Sequence, residues 1–151
     1  MTHTVFIDGS AGTTGLRIAE RLRDADDIRL ISLPEPQRKD LGARLDAAAA
    51  SDVSLLCLPD EAAREFVQHA PAATRICDTS TAHRNALGWV YGFAELHGQR
   101  AAIKDATRVA NPGCHASGFI ALTRPLWAQE AAAPAASPVS LYDPTRYIFV
   151  A

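Results

Sequence analysis

The sequence predicts an α/β domain with a parallel sheet covered by helices on both faces. Short apolar segments alternate with helical segments four or five times along the chain, as in a parallel sheet with crossover helices. Glycine, proline, hydroxyl-bearing and cysteine residues follow directly after the apolar segments. Because parallel sheets bind ligands at the carboxyl ends of their strands, this placement predicts a binding site along one edge of the sheet.

The elements follow from apolar runs and from helix start and stop signals. Strands are predicted at residues 5–7, 28–33, 53–58, 75–78 and 108–110. Helices are predicted at residues 14–23, 37–50, 59–67, 99–106 and 116–126. The third helix opens with a proline and two acids, which favour a helix start, and Pro125 is expected to kink or end the last one. Residues 79–96 are expected to be irregular.

Composition argues against several classes of partner. The chain has 151 residues, of which 48% are hydrophobic, enough for one core. Its net charge is -2 and no basic stripe is visible, so nucleic acid is not expected as a partner. No apolar run is long enough to span a bilayer, and no signal-peptide pattern is seen at the start of the sequence, so neither a membrane span nor a signal peptide is expected. Cys57, Cys77 and Cys114 are odd in number and widely spaced, so neither a disulfide framework nor a metal site is expected. A cytoplasmic location fits these features.

A glycine loop supplies the first candidate binding site. Residues 9–15 place glycine at every third position between a predicted strand and a predicted helix. Glycine permits a tight turn and a close approach to phosphate, and the helix start offers free N–H groups. The loop therefore predicts a dinucleotide site on a Rossmann-like sheet, against the alternative of an ordinary turn. Its candidate cofactor-binding residues are Gly9, Ser10, Ala11, Gly12, Thr13, Thr14 and Gly15.

The second predicted strand indicates which dinucleotide is bound. An acid at its end would bind the ribose hydroxyls of NAD, but Ser32 stands there, followed by Arg38 and Lys39. A serine and two cations suit a 2′-phosphate, so NADP(H) is favoured, although Glu35 lies close by and the two cations could be solvated. Leu58 and Pro59, after the third predicted strand, complete this part of the candidate cofactor set.

Cys114 is the candidate nucleophile. It follows an Asn-Pro-Gly turn that begins at Asn111, at a strand end and at the start of a predicted helix, where a thiolate is stabilised. The alternative of a small buried residue fits Cys57 and Cys77 better. A pair between Cys114 and His115 is not expected, because adjacent residues on a helix point in different directions.

Six stretches together resemble a known family, the short type of N-acetyl-gamma-glutamyl-phosphate reductase. They run in order within residues 4–127, and the Ser-Thr-Ala-His-Arg and Asn-Pro-Gly-Cys segments are the most specific. The matching stretches are residues 6–16, 38–40, 56–65, 78–84, 88–96 and 111–114.

The resemblance implies an enzyme of arginine biosynthesis that reduces a small acyl phosphate. The thiolate of Cys114 would attack N-acetyl-glutamyl 5-phosphate and expel phosphate, and NADPH would reduce the thioester to N-acetyl-glutamate 5-semialdehyde. Ser80 would lie near cofactor or substrate, and Thr81, Arg84 and Asn111 near the substrate. The resemblance also implies homo-oligomeric full-length relatives.

Three departures from the family pattern qualify this expectation. His115 stands where the family usually has Tyr, and Ala94 where Pro is common. A second domain, with an acid/base histidine, would follow in the family. We therefore expect a cofactor domain at residues 1–128, a linker and the start of an incomplete second domain at residues 129–151, and little or no turnover by the chain alone.

Three other functions are open to this sequence. One is a non-catalytic NADP-binding or interaction fragment of the reductase. Another is a related semialdehyde dehydrogenase, which the His-Arg after Ser-Thr-Ala and the Asn-Pro-Gly-Cys order argue against. A short-chain dehydrogenase is weaker still, because no tyrosine has a lysine four residues later.

Overall fold

The structure is a computed structural model in which residues 2–131 are described. The predicted second-domain start falls mostly outside these residues, and the predicted boundary at residue 128 stays a prediction. The chain divides into two compact units, the first ending at Asn111 and the second starting at Pro112.

The first unit is a six-stranded parallel sheet with helices between its strands. The strands are β1 (His3–Asp8), β2 (Ile28–Ile31), β3 (Val53–Leu56), β4 (Ile76–Asp78), β5 (Val90–Tyr91) and β6 (Arg108–Ala110). The helices are α1 (Thr13–Arg23), α2 (Leu41–Ala49), α3 (Asp60–His69) and α4 (Gln99–Asp105). The strand order is β2-β1-β3-β4-β6-β5, and every neighbouring pair is parallel. The predicted Rossmann-like α/β fold is confirmed.

Apolar residues of the strands and helices make one core. Its fully buried members include Phe6 of β1, Leu56 of β3, Phe66 of α3 and Ile76 of β4. Burying each such side chain contributes about 2 kcal/mol, so the sheet is the stable platform from which the loops extend.

Two element predictions in the first unit were wrong in detail. Strand β5 was missed because two residues are too few for a periodic pattern. Helix α2 begins at Leu41, later than expected. Pro34 and Pro36 give a 3-10 turn over Glu35–Gln37 instead. The Asp40 carboxylate then caps the helix by accepting from Ala43 N–H at 3.0 Å.

The second unit contains α5 (Cys114–Ala131). Helix α5 continues past Pro125, so this proline does not end it, and the expected kink stays a prediction. Helix α5 also starts two residues earlier than predicted, at Cys114 itself. Among the described residues, none of the helices has the length and apolar character needed to cross a membrane.

Candidate cofactor site and cysteine segment

Strand register brings the predicted strand-end residues of the first unit to one edge of the sheet. Asp8 pairs with Leu56, Leu56 with Asp78, and Asp78 with Ala110. These four residues end their strands in one row, so the loops that follow them start side by side. The glycine loop, the Leu58–Pro59 segment, the Ser80–Arg84 segment and Asn111 all begin from this row.

Two of the three loop glycines are required by packing. Gly9 has φ +83°, and a Cβ there would lie 2.3 Å from the carbonyl oxygen of Cys57. A Cβ on Gly15, at the start of α1, would lie 2.3 Å from the carbonyl oxygen of Gly9. Only glycine lets strand, loop and helix approach this closely.

Gly12 differs from its two neighbours. It precedes the first residue of α1 with φ -80°, and a Cβ there would meet only the Gly9 carbonyl oxygen, at an ordinary 3.4 Å. No side chain caps the helix start through a hydrogen bond. The N-terminus of α1 is thus open in front of Gly12, which is the arrangement that anionic groups bind.

A cavity of about 120 Å³ lies at the carboxyl ends of the first three strands. Five predicted cofactor residues line it, together with four that were not predicted. The predicted ones are Gly9, Ser10, Ala11, Arg38 and Leu58, and the others are Phe6, Ile7, Asp8 and Leu33. The cavity therefore has one wall from the glycine loop and another from the connection between β2 and α2.

The other predicted cofactor residues lie outside this cavity. Ser32, Lys39 and Pro59 are exposed and do not line it, and Ser80 belongs to the neighbouring loop. Thr13 and Thr14 line shallow grooves along α1 instead. Arg38 is held in place, because its Nε donates to the Leu33 carbonyl oxygen at 3.1 Å.

A buried ion pair beneath the cavity was missed by the sequence analysis. Arg44 of α2 donates from Nε to Asp8 Oδ2 at 2.8 Å, and the two residues are 6% and 4% exposed. Burial raises the pKa of the Asp8 carboxyl, and the Arg44 charge opposes that shift. The aspartate next to a glycine loop was visible in the sequence, but its partner 36 positions away was not.

The loop after β4 is organised by Asp78, which is 0% exposed. Its Oδ1 accepts from Ser80 N–H at 3.0 Å, and its Oδ2 accepts from Ser80 Oγ at 2.7 Å. His83 Nδ1 lies 2.6 Å from the same Oδ2, and the imidazole stacks on Trp89 with centroids 4.2 Å apart. Asp78 and Trp89 thus enclose His83, which is buried.

Thr81 and Arg84 are also engaged within the first unit. Thr81 donates from N–H to Asp60 Oδ1 at 3.0 Å, and its hydroxyl donates to Oδ2 of the same carboxylate. Arg84 donates to the Asn111 carbonyl oxygen at 3.3 Å and to the Thr79 carbonyl oxygen at 3.4 Å. Ser80 and Thr81 therefore use their hydroxyls to shape the loop, and their predicted substrate contacts stay predictions.

The three cysteines have different surroundings. Burial raises the pKa of the Cys77 thiol to about 11 and also raises that of Cys57, whereas Cys114 is exposed. Cys114 is the first residue of α5, and the amide and hydroxyl of Ser117 both donate to the Gly113 carbonyl oxygen at 2.9 Å. Accessibility and a helix N-terminus thus coincide at this one cysteine, as chemistry on a thiol requires.

The prediction that Cys114 and His115 point apart was wrong. Cys114 Sγ lies 3.7 Å from His115 Nδ1, and both residues are exposed. In the first turn of a helix no preceding turn crowds the side chains, so an imidazole can reach back to its neighbour. Among the described residues, no group of three or more His, Cys, Asp or Glu side chains could hold a metal ion.

Comparisons with known proteins agree with the fold and with the resemblance. The chain is 50% identical to N-acetyl-gamma-glutamyl-phosphate reductases from Brucella ovis and Brucella canis, over 97% of this chain and 48% of each relative. It therefore spans about half the length of the curated relatives it matches. No family model matches the chain.

Solved structures match the fold at low sequence identity. The aspartate semialdehyde dehydrogenase from Francisella tularensis aligns with a TM-score of 0.63 at 17% identity, over 86% of this chain and 42% of that one. Aspartate semialdehyde dehydrogenase II from Vibrio cholerae gives 0.62 at 16% identity, over 85% and 43%. The fold thus resembles a part of these structures, and the predicted resemblance is confirmed: the chain is homologous, along nearly all of its length, to about half of an N-acetyl-gamma-glutamyl-phosphate reductase.

Proposed function

We propose that this chain is the NADP(H)-binding and thiol-bearing part of an N-acetyl-gamma-glutamyl-phosphate reductase of arginine biosynthesis. The observation that carries the cofactor assignment is Gly12. Packing requires Gly9 and Gly15, whereas a Cβ on Gly12 would make only an ordinary contact at 3.4 Å, and this position still is glycine. A glycine without a structural need, in front of an uncapped helix start, fits a phosphate that approaches the backbone.

The residues around the cavity fit the adenosine end of the cofactor. Leu33 and Leu58 offer apolar surface, and Arg38 contributes a charge at the end of β2. A guanidinium suits a 2′-phosphate, and no acid lines the cavity on the β2 side to accept from ribose hydroxyls. This set favours NADP(H) over NAD(H).

Cys114 is proposed as the nucleophile toward the acyl phosphate substrate. Its thiolate attacks the acyl carbon of N-acetyl-glutamyl 5-phosphate, forms a thioester and releases inorganic phosphate. NADPH, if held by the glycine loop and Arg38, would supply a hydride to the thioester, which would release N-acetyl-glutamate 5-semialdehyde and regenerate the Cys114 thiolate. The exposure of Cys114 and its place at the N-terminus of α5 support this role. The imidazole of His115, 3.7 Å from the sulfur, is a nearby base that could take the thiol proton.

A titration of the purified chain with NADPH and with NADH, followed by cofactor fluorescence, tests the cofactor assignment. We expect NADPH to bind more tightly, and Arg38→Ala to remove most of the difference while NADH affinity stays the same. Lys39→Ala is the matched control, because Lys39 does not line the cavity. Equal affinity for both cofactors in the wild-type chain would contradict the NADP preference.

An activity assay tests the catalytic assignment. With N-acetyl-glutamate 5-semialdehyde, phosphate and NADP, we expect little or no NADPH formation by this chain alone. The second candidate is a non-catalytic NADP-binding module, and the half-length match to the relatives favours considering it. Turnover that Cys114→Ser abolishes would exclude that module and establish the enzyme in this chain.

A cytoplasmic location, homo-oligomeric relatives and the absence of nucleic-acid, membrane and metal partners stay predictions.

A further inference from the structure

The buried pair of Asp8 and Arg44 connects the two walls of the cavity. Asp8 is the last residue of β1 and directly precedes Gly9. Arg44 lies in α2, six positions after Arg38 and four after the Asp40 cap. Asp8 and Arg38 both line the cavity, one on each wall. A single ion pair thus ties the base of the glycine loop to the helix that follows the Arg38 segment.

Asp8 is the main polar partner of this arginine. Besides the Nε bond, Arg44 Nη2 lies 2.8 Å from the same carboxylate oxygen, which is an ion-pair contact. Within the described part of the chain, Nη2 itself has no hydrogen-bond partner. The rest of the guanidinium packs over the Phe66 ring, 5.3 Å from its centroid. Asp8 therefore adds one directional contact to the packing of Ala47 and Ala48 with Phe6, which also holds α2 against β1.

Stability alone is a weak reason for such a pair. Removing two charges from water offsets most of the attraction between them, and apolar side chains of similar volume are often equally stabilising. An ion pair differs from an apolar contact because it fixes direction and distance. A fixed distance matters here, since one cofactor must reach both the glycine loop and Arg38.

We propose that Asp8 and Arg44 form a positioning pair that sets the distance between Arg38 and the glycine loop and thereby the preference for NADPH over NADH. The inference rests on the proposed function, in which Arg38 meets the 2′-phosphate. Neither Asp8 nor Arg44 need touch that phosphate, because the pair acts through Arg38.

The test measures the NADPH and NADH dissociation constants of four full-length chains: wild type, Arg38→Ala, the double variant Asp8→Asn/Arg44→Met, and the triple variant. Their ratio does not depend on the folded fraction, because both cofactors bind the same folded molecules. We expect Arg38→Ala to reduce the preference about tenfold, the loss of one charge-assisted contact. The double variant should reduce it about threefold or more, since a misplaced charge loses part of its contact. The triple variant should match Arg38→Ala.

Arg44→Lys provides a second variant should the double variant fail to fold. It keeps the charge and loses the planar fork, so we expect an intermediate preference. An unchanged ratio in both Asp8→Asn/Arg44→Met and Arg44→Lys would overturn the inference while leaving the proposed function intact. An additive effect in the triple variant would overturn it as well, since Arg44 would not act through Arg38. A wild-type chain without preference would refute the NADP assignment itself, and the inference with it.

Discussion

Two loops that start from the same row of strand ends use their polar groups in opposite ways. The glycine loop after β1 leaves the start of α1 uncapped and borders a cavity. The loop after β4 is satisfied internally, with Ser80 and His83 on Asp78 and Thr81 on Asp60. Both loops carry residues that the sequence predicted to bind cofactor or substrate. The first loop therefore leaves a helix start without a side-chain cap, as the proposed cofactor site requires, whereas the second uses its polar groups to hold its own backbone.

The largest expected effect concerns Gly9, where the glycine loop is fixed by packing. Gly9→Ala combines a positive φ with a 2.3 Å approach to a backbone carbonyl, so we expect a loss of about 3 kcal/mol or more of unfolding free energy. Gly88→Ala is the matched control, with φ +80° and no atom within 4 Å, and should cost about 1 kcal/mol. Urea denaturation measures both, and equal losses would show that packing against Cys57 is unimportant.

The next effect tests whether the loop after β4 is structural. Asp78→Ala leaves buried donors of Ser80 and His83 without their acceptor, and we expect about 3 kcal/mol of destabilisation. Asp60→Ala removes a much more exposed acceptor and should cost about 1 kcal/mol or less. NADPH affinity of the folded Asp78→Ala chain should stay within about threefold of wild type, a difference of less than one tenfold step. A large loss of NADPH affinity in this variant would show that both loops belong to one cofactor site.

The cysteines provide a third contrast, between an exposed thiol in the second unit and two thiols of the first unit. The thiolate attacks iodoacetamide, and a pKa of about 11 leaves Cys77 with about a hundredfold less thiolate than a thiol at the ordinary value of 9.0. We therefore expect labelling at neutral pH in the order Cys114, Cys57, Cys77, located by mass spectrometry. Faster labelling of Cys57 or Cys77 than of Cys114 would contradict the accessibility of Cys114.

The smallest expected effect is a pH dependence at Asp60. The hydrogen bond from the Thr81 hydroxyl lowers the pKa of the Asp60 carboxyl, so the native state favours the ionised form. The resulting stability is present above the ordinary aspartate value of 3.8 and disappears as pH falls through the lower native value. Thr81→Val should therefore flatten the acid limb of the stability curve, as measured by thermal unfolding between neutral pH and the acid range. An unchanged acid limb would show that this bond is not formed in solution.

Local patterns predicted the fold and the place of the glycine loop, because both are visible in the order of neighbouring segments. Apolar runs marked five of six strands, and the strand-loop-helix order marked the glycine loop. The Asp8–Arg44 and Asp78–His83 contacts were not predictable in the same way. A buried carboxylate takes whichever partner the tertiary packing brings near, and no spacing rule selects Arg44 over the other arginines.

The hydroxyls of Ser80 and Thr81 show a related limit. Their motif resembles that of a binding segment, yet the same hydroxyl can either meet a ligand or complete a turn. Only the positions of Asp78 and Asp60 reveal that these hydroxyls donate internally. Gly12 shows the reverse, since its freedom from packing became visible only once Gly9 and Gly15 had been placed.

The most direct test of the account is NADPH binding by Gly12→Val. A Cβ there would meet no atom closer than 3.4 Å, and valine is less favoured than glycine just before a helix, so we expect the variant to be about 1 kcal/mol less stable than wild type. The same side chain would occupy the space in front of the α1 N-terminus, and NADPH affinity should fall by more than about thirtyfold, or about 2 kcal/mol. A stable Gly12→Val chain that binds NADPH as tightly as wild type would contradict the claim that the glycine loop holds the cofactor.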